Sequence, residues 1–151
     1  MRFREIRESF RSDTTVPAIL YHGTSLGNYR AMLASDRFTM DAEGHGNYGF
    51  STTEDVDMAM KFARMKTGED ERWGVVISLN GDLLSRLYDV HPYDDDEEYE
   101  THEAEWVIFS DQPIRQIRRF IREAKLLDTR RRPDNDGWTE NPAHLLPWRE
   151  V

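Results

Sequence analysis

Three short segments, far apart in a chain of 151 residues, carry side chains suited to chemistry. Tyr21-His22-Gly23-Thr24-Ser25 closes an apolar run with an imidazole beside a glycine. Glycine permits close approach of another backbone or a ligand, and imidazole offers two distinct nitrogens for hydrogen bonding. Tyr48-Gly49-Phe50-Ser51-Thr52-Thr53-Glu54 places a hydroxyl cluster behind aromatic rings. Glu103-Ala104-Glu105-Trp106 puts two carboxylates two residues apart, on one face of a strand. Carboxylates at that spacing raise each other's proton affinity and can divide acid–base and electrostatic work. Each segment alone has an ordinary alternative: a satisfied histidine at a strand end, a pair of helix caps, the end of an acidic run. The ordered set points to an enzyme that depends on Glu105 first, His22 second and Ser51 third.

The elements that must position these residues follow from apolar periodicity. Phe3, Ile6 and Phe10 predict an amphipathic helix over 1–12. Pro17 stops a helix, and Ala18-Ile19-Leu20-Tyr21 reads as a short buried strand. Ser25 is placed to cap a helix with Leu26, Tyr29 and Leu33 on one face. Three glycines make 41–49 a flexible loop leading to a strand around Phe50-Ser51. Thr52 or Thr53 then caps a helix with the stripe Val56, Ala59, Met60 and Ala63. Gly74 to Leu79 is the clearest strand, closed by the turn pair Asn80-Gly81. One helical turn over 83–87, a strand near 88–90 and a strand over 106–109 follow, and Pro113 breaks the last. Ile114, Ile117, Phe120 and Ile121 return to helical or mixed spacing. The expected organisation is a single α+β domain over 1–151, with its core at about 18–121. An irregular tail over 130–151 wraps the domain through Trp138, Leu145, Leu146 and Trp148.

Composition narrows the function classes. A 38% hydrophobic, 11% aromatic chain of this length builds one core. No run approaches a membrane span and no signal-peptide core is present, so a soluble, intracellular protein is expected, cytoplasmic or delivered into a host cytoplasm. Without cysteine there is no thiolate nucleophile and no cysteine-based zinc site. A net charge of −9 argues against a general nucleic-acid binder. The charge is uneven: residues 89–105 hold nine acidic side chains and no Lys or Arg, whereas 115–132 hold seven Arg and one Lys against Glu123 and Asp128. These runs read as solvated, mutually pairing surface or as contacts for a macromolecular partner.

Together the three segments resemble the ADP-ribosyltransferase superfamily. Tyr21-His22-Gly23-Thr24 is similar to the first-strand motif of its diphtheria-toxin and poly-ADP-ribose polymerase branch. Gly49-Phe50-Ser51-Thr52-Thr53, with the helix residues 57–63, looks more like the Ser-Thr-Ser strand of the cholera-toxin branch, and Glu103-Ala104-Glu105 matches its Glu-X-Glu form. The resemblance spans about 18–121; the chain departs from each branch by carrying His22 with a Ser-Thr-Thr cluster, and Phe50 near the position of a family tyrosine. It implies a split β-sandwich of two small sheets around an NAD cleft, flanked by helices. It also implies that NAD is a co-substrate, that a macromolecular acceptor, protein or nucleic acid, receives the ADP-ribose, and that no metal is needed. In that frame Gly23 pairs with the nicotinamide amide, His22 fixes a ribose hydroxyl, and Tyr48 or Phe50 stacks on the nicotinamide ring. Thr24 and Thr52 complete the cofactor-binding set. Glu105 engages the ribose and stabilises developing positive charge, Ser51 orients Glu105, and Glu103 aligns the acceptor.

Three alternatives stand beside mono-ADP-ribosyl transfer. They are hydrolysis of NAD, a catalytically silent binding module of the same fold, and metal binding through His91, His102 and Asp94-Asp95-Asp96. His45, in the glycine-rich segment, is either a surface residue or a substrate contact.

Overall fold

Two residues after Pro17 the chain enters β1 (Ile19–Ser25). The computed structural model describes residues 15–44, 47–92, 105–130 and 145–146. After β1 come α1 (Leu26–Ser35), β2 (Asp41–Gly44), β3 (Asn47–Thr53) and α2 (Val56–Lys66). They are followed by β4 (Trp73–Asn80), α3 (Gly81–Leu87), β5 (Asp89–Pro92), β6 (Glu105–Ser110), a 3-10 turn (Ile117–Arg119), β7 (Ile121–Asp128) and β8 (Leu145–Leu146). The expected helix over 1–12, His45, Glu103 and the acidic loop 94–100 lie outside the described residues.

The fold is α+β, and every described strand pairing is antiparallel. The strands run in the order β5-β6-β3-β1-β4-β7-β8, with β2 also on β3. β1 and β4 pair along their whole length, from Ile19↔Asn80 to Ser25↔Gly74. β3 and β6 pair from Tyr48↔Ser110 to Thr53↔Glu105. Between these halves, among the described residues, the register pair is Tyr21↔Thr53. Because β6 covers one edge of β3, β2 and β1 must share the other, β2 at Gly49 and β1 at Thr53. Phe50, Ser51 and Thr52 therefore border an opening in the hydrogen-bond ladder on that edge, at which Phe50 and Thr52 are buried. The resemblance implied two separate small sheets; the described strands instead form one sheet, with β1 and β3 in register at a single residue pair.

Both halves contribute to the main core. Leu20, Val75, Ile77 and Leu79 from one half cluster with Phe50, Trp106, Ile108 and Val90 from the other, under Tyr29 and Met32 of α1. Full burial of such a side chain stabilises by roughly 1.5–3 kcal/mol. On the opposite face, the predicted α2 stripe packs Ala59, Met60 and Ala63 against Val76 and Leu127, with Val56 and Tyr21 at its margin. This helix lies so close that a Cβ on Gly23 would sit 1.8 Å from the Ala59 carbonyl oxygen and 2.7 Å from the Ala63 nitrogen. Packing of α2 thus requires the glycine at 23.

Ser25 does cap α1, its hydroxyl accepting from the Asn28 amide at 3.0 Å. The cap of α2 is Asp55, not Thr52 or Thr53; its carboxylate accepts from the Asp57 amide at 2.9 Å. The turn pair Asn80-Gly81 closes β4 by starting α3, with the Asn80 side chain accepting from the Leu83 amide at 3.0 Å. The supposed loop 41–49 contains β2 and the first residues of β3. The largest difference follows the expected helical or mixed spacing of 114–121: that stretch holds only a 3-10 turn, and 121–128 forms β7, so the core extends beyond 121. Arg122, Glu123, Ala124, Lys125 and Leu126 favour helix intrinsically, but a ladder to β4 from Trp73↔Asp128 to Leu79↔Ile121 overrides that preference. Within the predicted tail, Leu145 and Leu146 pair with Leu127 and Leu126.

Candidate active site

The opening between β1 and β3 gathers the three sequence segments. His22 and Thr52 follow the last β1–β3 pair, where the ladder stops. There the His22 side chain takes over from the backbone: Nδ1 lies 2.8 Å from the Ser51 carbonyl oxygen. A carbonyl only accepts, so Nδ1 carries the hydrogen, and in the neutral ring Nε2 holds the lone pair. Burial lowers the His22 pKa to about 3, with the Lys66 charge adding to the shift and the Ser51 contact opposing it. The ring is therefore neutral near pH 7.

Ser51 continues the chain of contacts. Its hydroxyl donates to Glu105 Oε2. The register explains this contact: Ser51 is opposite Val107, and Glu105 is the diagonal neighbour on the same face of the sheet. Phe50 and Thr52, one residue to either side, point to the other face. His22 stacks on Phe50 there, with centroids 4.2 Å apart. Imidazole and carboxylate thus approach from opposite faces of β3 and meet through Ser51 at its open edge. Next to Glu105, Trp106 is 5% exposed and donates from Nε1 to Glu54 at 3.2 Å. Glu54 is not among the sequence candidates, since nothing about an acid just before a helix marks it for chemistry.

The remaining sequence candidates fall into different places. Phe50 is buried with Phe38 on its other side, centroids 4.4 Å apart, so both ring faces are occupied and it supports His22. Tyr48 is half-buried on β3 opposite Ser110. The Thr24 hydroxyl accepts from Asn28 Nδ2 at 2.7 Å, which ties β1 to α1, and Thr24 is buried. The Thr52 hydroxyl donates to the Trp106 carbonyl at 2.8 Å, also buried, and stitches β3 to β6. These hydroxyls are used by the scaffold. Gly23 meets α2, as described above. Glu103 lies outside the described residues.

Among the described residues no cluster of three or more His, Cys, Asp or Glu is arranged to hold a metal ion. His91 stacks on Phe109 at 4.7 Å; its suggested co-ligands lie outside the described residues. No described helix is long and apolar enough to cross a membrane. No family model matches the chain, and neither the curated proteins nor the solved structures provide a match.

Proposed function

We propose that this chain is an enzyme that cleaves the nicotinamide–ribose bond of NAD. More particularly, we read it as a mono-ADP-ribosyltransferase whose acceptor is a macromolecule, a protein side chain in the first instance. The observation that carries the reading is the Ser51 hydroxyl donating to Glu105 at the β1–β3 opening, with His22 on the same serine. The short β1–β3 junction supports the reading, because a nucleotide cleft would open where strand pairing is least extensive.

NAD supplies the ADP-ribosyl group, and each protein group has a task set by its chemistry. Glu105, anchored by Ser51, presents its carboxylate to a ribose hydroxyl and to the positive charge that develops as the glycosidic bond opens. A fixed anion where charge develops needs no reorganisation during the reaction. Neutral His22 offers the Nε2 lone pair to a ribose hydroxyl, while Nδ1 stays on Ser51. Tyr48, the half-buried ring of the two aromatic candidates, supplies the stacking surface. Glu103, two residues before Glu105, aligns the acceptor and takes its proton.

Incubation of the purified chain with labelled NAD, in buffer and in cell lysate, tests this reading. Nicotinamide release that depends on lysate and moves label onto macromolecules is the expected result. Release in buffer without transfer identifies an NAD hydrolase. A folded protein that neither releases nicotinamide nor binds NAD identifies a silent module and removes the enzyme reading.

A further inference from the structure

The basic run has no part in the site above, yet two of its arginines stand at a cavity. Between α1 and the start of β7, Tyr29, Leu33, Ile121 and Ala124 line a hollow of about 200 Å³, with Arg118, Arg122 and Glu123 around it. Tyr29 and Ala124 are each only 2% exposed and form its apolar floor. Arg118, on the 3-10 turn, and Arg122, on β7, are exposed. Glu123 is paired to Lys125 at 3.0 Å, which counters its charge locally. Among the described residues neither Arg118 nor Arg122 has an ion-pair partner. Acidic side chains outnumber basic ones by 29 to 20 in this chain, so two unpaired guanidinium groups beside an apolar hollow run against its overall charge.

A guanidinium presents a planar fork of donors that matches a carboxylate, and an apolar wall favours a carbon skeleton. The hollow is smaller than the roughly 300 Å³ at which sites for drug-sized ligands begin, so its occupant is small. We propose that this cavity is a binding site for a small carboxylate with an apolar body. The body lies against Tyr29, Leu33, Ile121 and Ala124, and the carboxylate meets Arg118 and Arg122. The site shares no residue with the His22–Ser51–Glu105 chain and does not depend on the NAD reading.

Titration of the full chain with naphthoate and with octanoate, followed by calorimetry and backbone amide shifts, tests the proposal. Naphthamide serves as the uncharged control. At least one of the two acids should bind, with shift changes centred on Leu33, Ile121 and Ala124, and the tighter of the two shows whether the body is a ring or a chain. Naphthamide and an Arg118→Gln/Arg122→Gln variant should each weaken binding by about tenfold or more, the scale of a lost charge-assisted contact. Both arginines are exposed, so the variant should keep the wild-type melting temperature. Equal affinity for acid and amide, undiminished binding by the variant, shift changes elsewhere, or no binding at millimolar concentration would each overturn it.

Discussion

Ser51 acts twice in the candidate site, through its carbonyl on His22 and its hydroxyl on Glu105. Replacing Ser51 by Ala keeps the carbonyl and removes only the hydroxyl. Hydrogen bonds to charged groups contribute about 1.5–3 kcal/mol, so NAD turnover should fall by roughly ten- to hundredfold. Ser51→Thr should restore much of it, and steady-state kinetics of the two variants check the pair. His22 makes a pH prediction. Its pKa falls from 6.5 to about 3 on folding, so below pH 6.5 the unfolded chain binds a proton that the native one refuses. The contribution of neutral His22 is complete above pH 6.5 and declines as pH falls toward 3, at up to about 1.4 kcal/mol per pH unit. Urea unfolding between pH 7 and about 4 should show a shallower loss for His22→Gln, which keeps a side-chain donor but does not titrate in this window. At this scale the sequence was most readable where a side chain's chemistry is unusual for its setting. His22, Ser51 and Glu105 converge, but Phe50, Thr24 and Thr52 look equally chemical in the sequence and are used for packing and stitching. Only register and burial separate those two groups.

Among the described helix–strand pairs, α2 and β1 are in the most extensive contact, because Gly23 lets the helix backbone touch the strand. Gly23→Ala would push α2 away or bend β1. A destabilisation at or above the 1–3 kcal/mol typical of overpacking is expected, and chemical denaturation measures it. Asp55→Ala removes the α2 cap and should cost about 1 kcal/mol, with NAD chemistry unaffected. The order of elements up to β6 was legible because apolar stripes of period two and 3.6 are carried by buried residues such as Ile77 and Ala59. Caps were legible only as a class: Ser51, Thr52, Thr53 and Asp55 all precede α2, and strand length decides which one ends outside the ladder. β7 was not legible, since its residues prefer helix and its partner β4 lies some 50 residues earlier. Non-local pairing of that kind leaves little mark on local sequence.

For the molecule as a whole, the single Tyr21↔Thr53 pair joins two half-sheets that share one core, and the candidate site lies where they part. That layout explains how residues 29 and 54 positions apart can act on one group: α1 and the β2–β3 pair return the chain to the opening, and β6 then closes against β3. The far margin is covered in part by β8 on β7. Removing 131–151 leaves β7 as an unprotected edge strand, so the shortened chain should melt lower and associate at high concentration, as light scattering would show. The most direct measurement is nicotinamide release from NAD by wild type and Glu105→Gln, with both melting curves recorded. Glu105 is half-buried at a strand end, so a fall in turnover of at least about a hundredfold with a melting shift of no more than about 2 °C is predicted. Equal release by the two proteins, no release by folded wild type with or without lysate, or a variant that loses turnover only by melting would contradict a catalytic Glu105.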